Sequence, residues 1–235
     1  IEFIHTYSLV HDDLPAMDND QFRRGKETTW YAYGDAMGIL AGDGLLNYAF
    51  ETALKAPEYC LQKSNISQGE RMQLLRRTWH ALSVIAKKAG IYGMIGGQTA
   101  DMMEEGQSAG AEQLLFIHEH KTAALIEAAM MTGAILAGAS GEQIQKIEKC
   151  ARNIGIAFQI QDDILDVTGD SRELGKSIGS DASNQKTTYV TWKGLEQSGA
   201  DVEALSREAA AILDSFDGEH AFLQGLMLNL IYRRK

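Results

Sequence analysis

The chain has 235 residues, 45% hydrophobic and 23% charged, which excludes a disordered chain and provides enough apolar material for a substantial core. Thirty-two acids against 22 Lys and Arg leave a net charge of −10, which argues against a nucleic-acid-binding surface but still admits anionic substrates bridged by metal ions. The two cysteines, Cys60 and Cys150, lie far apart with no CxxC spacing, so neither a disulfide framework nor a thiolate zinc site is expected, and a cytoplasmic location fits.

The chain opens with IEFIHTYSLV, which reads as the middle of a helix with no basic leader and suggests that preceding residues are missing. Ala, Leu, Met, Gln and Glu dominate the remaining residues, and alternating β-branched runs are absent, so the fold class is all-α. Helices are predicted over 2–13, 31–55, 70–89, 91–105, 112–138, 142–168, 187–198, 201–215 and 219–232. The segments 56–68, 105–111 and 169–185 are read as connections. Pro15 and Pro57, the only prolines, fall where helical patterning lapses. No apolar run is long enough to span a bilayer, the longest being the small-residue stretch from Ala128 to Ala139.

Two stretches carry chemistry. HDDLPAMDNDQFRRG, at 11–25, holds four aspartates within nine residues, followed by adjacent arginines. FQIQDDILDVTGD, at 158–170, repeats the Asp pair after an apolar helical stretch. Like charges packed this closely belong on a solvated face or around a cation. In the second stretch Gln159, Asp162, Asp163 and Asp166 fall at i, i+3, i+4 and i+7, one stripe of a helix that is otherwise apolar on most sides. Such a stripe is expected to line a wet cavity holding cations, facing the first cluster across a bundle. Aspartates without histidine or thiolate suit magnesium or manganese better than zinc. Asp12 and Asp18 are too far apart for one helical face, but can meet if the helix ends near Asp13 and Pro15 turns the chain back. Arg23 and Arg24 either pair with phosphate oxygens or merely neutralise Asp18 and Asp20. Lys121, Lys176 and Lys186 flank the second cluster among small or hydroxyl residues, as a diphosphate-neutralising set would. Ser8, one helical turn before Asp12 and about 6 Å along the axis, lies on the same face and is placed in the pocket below it.

With both clusters in view, the chain resembles the trans-prenyltransferases, the polyprenyl synthetase family, and within it most closely the bacterial farnesyl diphosphate synthases. The likeness rests on YSLVHDDLPAMDNDQFRRGKETT, GILAGDGLLNYAFE, GGQTADM, HKTAALI, FQIQDDILDVTGD, LGKSIGSD and KTTYV, in the family's order. It implies a single-domain helical bundle spanning 1–235 around a deep central cavity, without the family's N-terminal helices, and acting as a homodimer. It implies two or three magnesium ions, possible replacement by manganese, with Asp12, Asp18 and Asp162 as ligands and Asp13, Asp163 and Asp166 in or near the metal shell. The substrates implied are isopentenyl diphosphate and an allylic diphosphate, dimethylallyl or geranyl. Arg23, Lys121, Lys186 and Lys176 would contact the allylic diphosphate, and Arg24 that of isopentenyl diphosphate. Thr122 and Gln159 would face the developing cation. Tyr7, with the extra motif residues Pro15 and Ala16, would close the cavity at a fifteen-carbon product.

The chain also departs from the family. No Gly-Lys-Arg motif occurs, so half of the acceptor site is missing from these residues, as in a fragment or a degenerate relative. ETTW at 27–30 replaces the more usual Pro and His, and Arg233, Arg234 and Lys235 end the chain either as a cover for the acceptor diphosphate or as a solvated tail. A geranyl or geranylgeranyl diphosphate synthase, a class I terpene cyclase and a non-catalytic regulatory subunit are the competing readings. Recurrence of DDxxD and the absence of a complete second cyclase motif disfavour the cyclase.

Overall fold

The computed structural model describes residues 1–104, 110–168 and 187–232. They form helices α1 (Glu2–Asp12), α2 (Thr29–Tyr33), α3 (Asp35–Ala53), α4 (Ala56–Gln62), α5 (Gln68–Ala89), α6 (Met94–Glu104), α7 (Ala111–Ile117), α8 (Ala124–Ala137), α9 (Gly141–Thr168), α10 (Tyr189–Lys193), α11 (Leu195–Asp214) and α12 (Ala221–Ile231). A π-helical turn, His118–Ala123, links α7 to α8. The all-α expectation therefore holds, with one addition, a two-stranded hairpin of β1 (Phe22–Arg23) and β2 (Lys26–Glu27). Among the described residues no helix is long and apolar enough to cross a membrane.

Differences from the predicted elements trace mostly to glycine and proline. Gly34 and Gly194, at φ 88° and 81°, take backbone angles that L side chains rarely adopt; Gly34 splits the helix predicted over 31–55 into α2 and α3, and Gly194 cuts the one predicted over 187–198 after the five-residue α10, its remainder joining the helix predicted over 201–215 as α11. The connection expected at 56–68 instead holds α4, because Pro57 lies in the first turn, where its missing N–H costs nothing. The single helix expected over 112–138 is interrupted by the π turn. Such insertions are rare and occur often at functional sites.

The chain divides into two compact units, Ile1–Ile85 and Ala86–Lys235. In the first, α1, whose Ile4 and Tyr7 are buried, packs on α3. Gly42 is the notch that permits it, since a Cβ there would overlap the His11 ring, whose Nε2 lies 3.0 Å from the Ile39 carbonyl. In the second unit α9 is the central element. Its Ile147, Cys150, Ile154, Ala157 and Ile160 pack in one core with Val202, Ala209 and Leu213 of α11 and with Met227 and Ile231 of α12. Burying each isoleucine or leucine contributes about 1.5–3 kcal/mol. Cys150 belongs to this core, and burial pushes its thiol up to about 12, as befits an inert packing residue.

A buried ion network ties helices of the second unit. Glu127 of α8, 2% exposed, accepts from Lys88 of α5 and, at 3.0 Å, from Arg152 Nε of α9, while Lys88 also reaches Glu148 at 2.7 Å. Burial opposes the Lys88 charge, but hydrogen bonds to the two glutamates win and hold the ammonium above its usual value. Removing one member strands the others. Glu127→Ala is expected to cost about 3–5 kcal/mol, a fall of roughly 6–20 °C in the thermal midpoint, most of it recovered in Lys88→Met/Glu127→Leu. Thermal denaturation followed by circular dichroism checks this; a midpoint unmoved by Glu127→Ala would remove the network from the account of stability.

His118, in the π turn and 4% exposed, stacks on Tyr189 with ring centroids 6.1 Å apart. Burial lowers its pKa to about 4, against a smaller raising influence from Asp101, so the ring is neutral at pH 7. The unfolded chain, with its imidazole near 6.5, takes up the proton first as pH falls. Acid therefore favours unfolding through this group between about pH 6.5 and 4. The difference in denaturation free energy between wild type and His118→Gln is expected to shrink across that window, and a pH-independent difference would contradict it.

Candidate functional site

In the first unit, α1 carries Asp12 and Asp13 at its C-terminal end. The chain then turns at Pro15, and the Asp18 N–H donates to the Asp12 carbonyl at 2.8 Å. Six residues apart in sequence, the two aspartates are thus joined across one turn, Asp12 half-buried and Asp18 exposed. Asp13 is different. It is 4% exposed, and its Oδ1 accepts from both Nε and a terminal nitrogen of Arg23 at 2.7 Å. Burial raises its pKa, Arg23 opposes that, and the charges of Asp20 and Asp18 add to the rise. Arg23 also lies 3.9 Å from Asp20, so it pairs with Asp20 and with Asp13, where the sequence reading places Asp18.

Arg24 and Gly25, at φ 51° and 75°, form the two-residue tip of the hairpin. Positive φ at both positions is what a type I′ connection requires, and Arg24 adopts it at a cost that asparagine would largely avoid. The ETTW departure has a structural use. The Thr28 hydroxyl and Trp30 Nε1 donate to the Asp20 carbonyl at 2.7 and 2.8 Å, closing the loop that carries both arginines. Lower on α1, Tyr7 is buried edge-on to His11, its pKa raised by burial and by Asp12. Ser8 spends its hydroxyl proton on the His5 carbonyl at 2.9 Å.

In the second unit two glycines bring three elements into backbone contact. A Cβ at Gly97 of α6 would overlap the Lys121 backbone, and one at Gly155 of α9 would overlap Ala123. The π turn is thereby held against both helices. Lys121 Nζ reaches Asp101 Oδ2 of α6 at 2.6 Å, and the Thr122 hydroxyl donates to Gln159 Oε1 of α9 at 2.9 Å. Gln159 Nε2 donates to Asp163 Oδ1 at 3.3 Å, and the Tyr189 backbone N–H donates to Asp163 Oδ2 at 2.7 Å. Tyr189 is itself fixed, its hydroxyl donating at 2.8 Å to Asp201, which also pairs with Lys193 at 2.8 Å.

The predicted acidic stripe is therefore not uniform. Asp163 is 5% exposed and held by protein donors, whereas Asp162 and Asp166 are half-buried, one helical turn apart. Among the described residues no three His, Cys, Asp or Glu side chains converge on a point. Each unit offers instead a two-aspartate set, Asp12 with Asp18 and Asp162 with Asp166. Oxygen-only pairs fit magnesium, which binds through one or two carboxylates and completes its shell with water and substrate phosphates. Lys176, Lys186, Arg233, Arg234 and Lys235 lie outside the described residues.

Sequence reasoning gave no role to Asp101, His118 or Tyr189. All three fall in or beside motifs already singled out, GGQTADM, HKTAALI and KTTYV, yet their partners lie 20 or more residues away in the chain: Lys121 for Asp101, and Asp163 for the other two.

Known proteins bear on this arrangement. The chain is 46% identical over 189 residues, 80% of its length, to a farnesyl diphosphate synthase of Geobacillus stearothermophilus. It is 44% identical over 220 residues, 93% of its length, to a geranylgeranyl diphosphate synthase of Cyanophora paradoxa. Among solved structures it resembles a geranyltransferase from Helicobacter pylori complexed with magnesium and isoprenyl diphosphate, at TM-score 0.78 and 32% identity over 99% of the chain. It spans 60%, 69% and 72% of the lengths of these three proteins. The model of the polyprenyl synthetase family matches residues 1–215, so that the segments holding both aspartate pairs, the π turn and α9 fall within one match, and the chain belongs to that family.

Proposed function

We propose that the protein carrying this chain condenses isopentenyl diphosphate head to tail with dimethylallyl or geranyl diphosphate, giving a short-chain prenyl diphosphate, with farnesyl diphosphate as the main product. One observation carries the reading. In both Asp-Asp pairs the second aspartate is buried and held by protein donors while the first is half-buried, with a further aspartate close by in the chain, Asp18 after the turn at Pro15 and Asp166 one helical turn on. Asp12 and Asp18 of the first unit and Asp162 of the second are the candidate magnesium ligands, with Asp166 one helical turn beyond Asp162, for two or three ions. When bound, magnesium supplies positive charge that stabilises the departing pyrophosphate. Manganese fits the same oxygen set.

The chain's own residues do the rest. Lys121, positioned by Asp101, adds a cationic donor for the allylic diphosphate, as Lys176, Lys186 and the remaining N–H groups of Arg23 would. Arg24 is assigned to the isopentenyl diphosphate. No nucleophilic side chain is required, because the double bond of isopentenyl diphosphate attacks the allylic carbon and the released pyrophosphate takes the proton. Thr122 and Gln159 face the positive charge as neutral dipoles, which stabilise it without forming a bond to it. Both units belong in this reading to one synthetase domain, and the protein acts as a homodimer.

Tyr7 and Ser8 bear on product length. A buried ring and a hydroxyl already bonded to its own helix present an unreactive wall, and Tyr7 serves as its floor. The geranylgeranyl synthase among the relatives favours a second reading, a twenty-carbon product.

Purified protein given magnesium, isopentenyl diphosphate and an allylic diphosphate is expected to release pyrophosphate and form farnesyl diphosphate. Asp162→Asn should lower turnover by about a hundredfold or more. A folded protein that elongates neither allylic substrate would overturn the proposal, and near-normal turnover in Asp162→Asn would remove that residue from the metal site. Tyr7→Ala is expected to shift the product distribution towards twenty carbons on chromatography of the dephosphorylated prenols; an unchanged profile would show that the floor lies elsewhere.

A further inference from the structure

We propose that Asp163 is a positioning residue that orients the Gln159 amide and, through it, the Thr122 hydroxyl, and that it does not ligate the metal. The orienting role rests on the proposed function, in which Gln159 and Thr122 face the developing positive charge.

The argument starts at a donor that cannot turn. The Tyr189 N–H belongs to the first residue of α10 and donates to Asp163 Oδ2 at 2.7 Å. This commits one oxygen of the carboxylate. The other, Oδ1, lies 3.3 Å from the Gln159 amide, one helical turn back on α9. A carboxylate only accepts, whereas an amide has a donating and an accepting end. Gln159 must therefore turn Nε2 towards Asp163, which sends Oε1 to the other side. There Thr122 Oγ1 lies 2.9 Å from it, and since a carbonyl oxygen cannot donate, the hydroxyl proton points at Gln159. The relay has one direction throughout. It leaves the lone pairs of Thr122 Oγ1 and the second lone pair of Gln159 Oε1 as its negative ends, the polarity that stabilises an allylic cation.

The surroundings are built to keep this order. Asp163 is 5% exposed, so water does not compete for its oxygens. His118 Nε2 is 3.9 Å from Oδ2, too far for a hydrogen bond, and it packs the carboxylate from one side while its ring stacks on Tyr189. Gly155 sets the closeness of α9 to the π turn on which Thr122 stands. Asp163 thus spends both oxygens within the protein, unlike a ligand held open for an ion.

Asp163→Asn tests this because it keeps the shape and reverses one end. The Tyr189 N–H still requires the asparagine oxygen, so the new NH2 group faces Gln159, the amide turns over, and Thr122 becomes the acceptor with its proton directed outward. Turnover is expected to fall by about ten- to a hundredfold, with KM for both diphosphates within about twofold of wild type. Two readouts do not depend on turnover. Manganese binding with pyrophosphate, followed by electron paramagnetic resonance, should be unchanged in Asp163→Asn and about tenfold or more weaker in Asp162→Asn. The side-chain NH2 signal of Gln159 in 15N-glutamine-labelled protein, assigned by its loss in Gln159→Leu, should move out of the carboxylate-bonded position in Asp163→Asn. The double variant Asp163→Asn/Gln159→Glu restores donor and acceptor order at unchanged net charge and should regain at least about a tenth of wild-type turnover. If the single variant fails to fold, manganese binding by the double variant decides in its place. Manganese affinity lost with either Asp163 variant makes Asp163 a ligand, and an unmoved Gln159 signal removes its orienting role; either result overturns the proposal. A wild-type protein that binds manganese with pyrophosphate but elongates nothing defeats the proposed function alone, since both readouts still judge the relay.

Discussion

A carboxylate taken out of water must find hydrogen-bond donors or a counter-charge, and that requirement organises both acidic segments of this chain. Each contains adjacent aspartates. Consecutive residues on a helix differ by about 100° in direction, so two neighbours cannot share one environment. The fold resolves this in the same way twice, with Asp13 and Asp163 turned inward and satisfied by the protein while Asp12 and Asp162 stay half-buried. The inward member is held by a donor from elsewhere in the chain, the Arg23 side chain for Asp13 and the Tyr189 backbone N–H for Asp163. The other member is only half-buried. Part of the negative charge of each cluster is therefore met by protein donors.

What lets the second unit place its polar groups is close backbone approach. Gly97 and Gly155 let α6 and α9 reach the π turn where Lys121 and Thr122 stand side by side. A π turn adds a residue to the helical ladder and so rotates the side chains beyond it relative to those before. His118, at the start of the turn, can then pack inward against Tyr189 while Lys121, three residues on, reaches Asp101 at 2.6 Å. The apolar core of α9 and α11 beneath supplies the stability that holds such geometry, and the polar relay adds direction.

Periodicity made the long helices legible, and the end of α1 with the return of the chain to Asp18 followed from Pro15. The spacing of the two cysteines set aside disulfide and thiolate zinc chemistry, and both are free and buried. The hairpin at 22–27 was not legible, because its strands are two residues each and its tip is Arg-Gly, a less favoured pair than Asn-Gly. The π turn escaped for a different reason, since HEHKTA has a single apolar residue, Ala123, too few to show a period, and only tertiary contact reveals the change of register. The stripe of Gln159, Asp162, Asp163 and Asp166 was found by its spacing, yet spacing alone could not tell which member turns inward. That depends on what packs against α9, and α10 and the π turn are remote from it in the chain.

The two inward aspartates also differ in how they are satisfied, and the difference limits what sequence can disclose. Asp13 is held by a side chain, Arg23, so its partner leaves a mark that can be read in the RR dipeptide. Asp163 is held by the main chain of Tyr189, a donor that any residue except proline would provide. A guanidinium neutralises charge and is lost with one substitution. A backbone N–H brings no full charge, only a dipole of fixed direction, and it persists through any change of side chain that preserves α10. The first arrangement therefore balances a cluster of like charges, where Asp18 and Asp20 also stand. The second sets direction, which passes from Asp163 to the neutral groups Gln159 and Thr122.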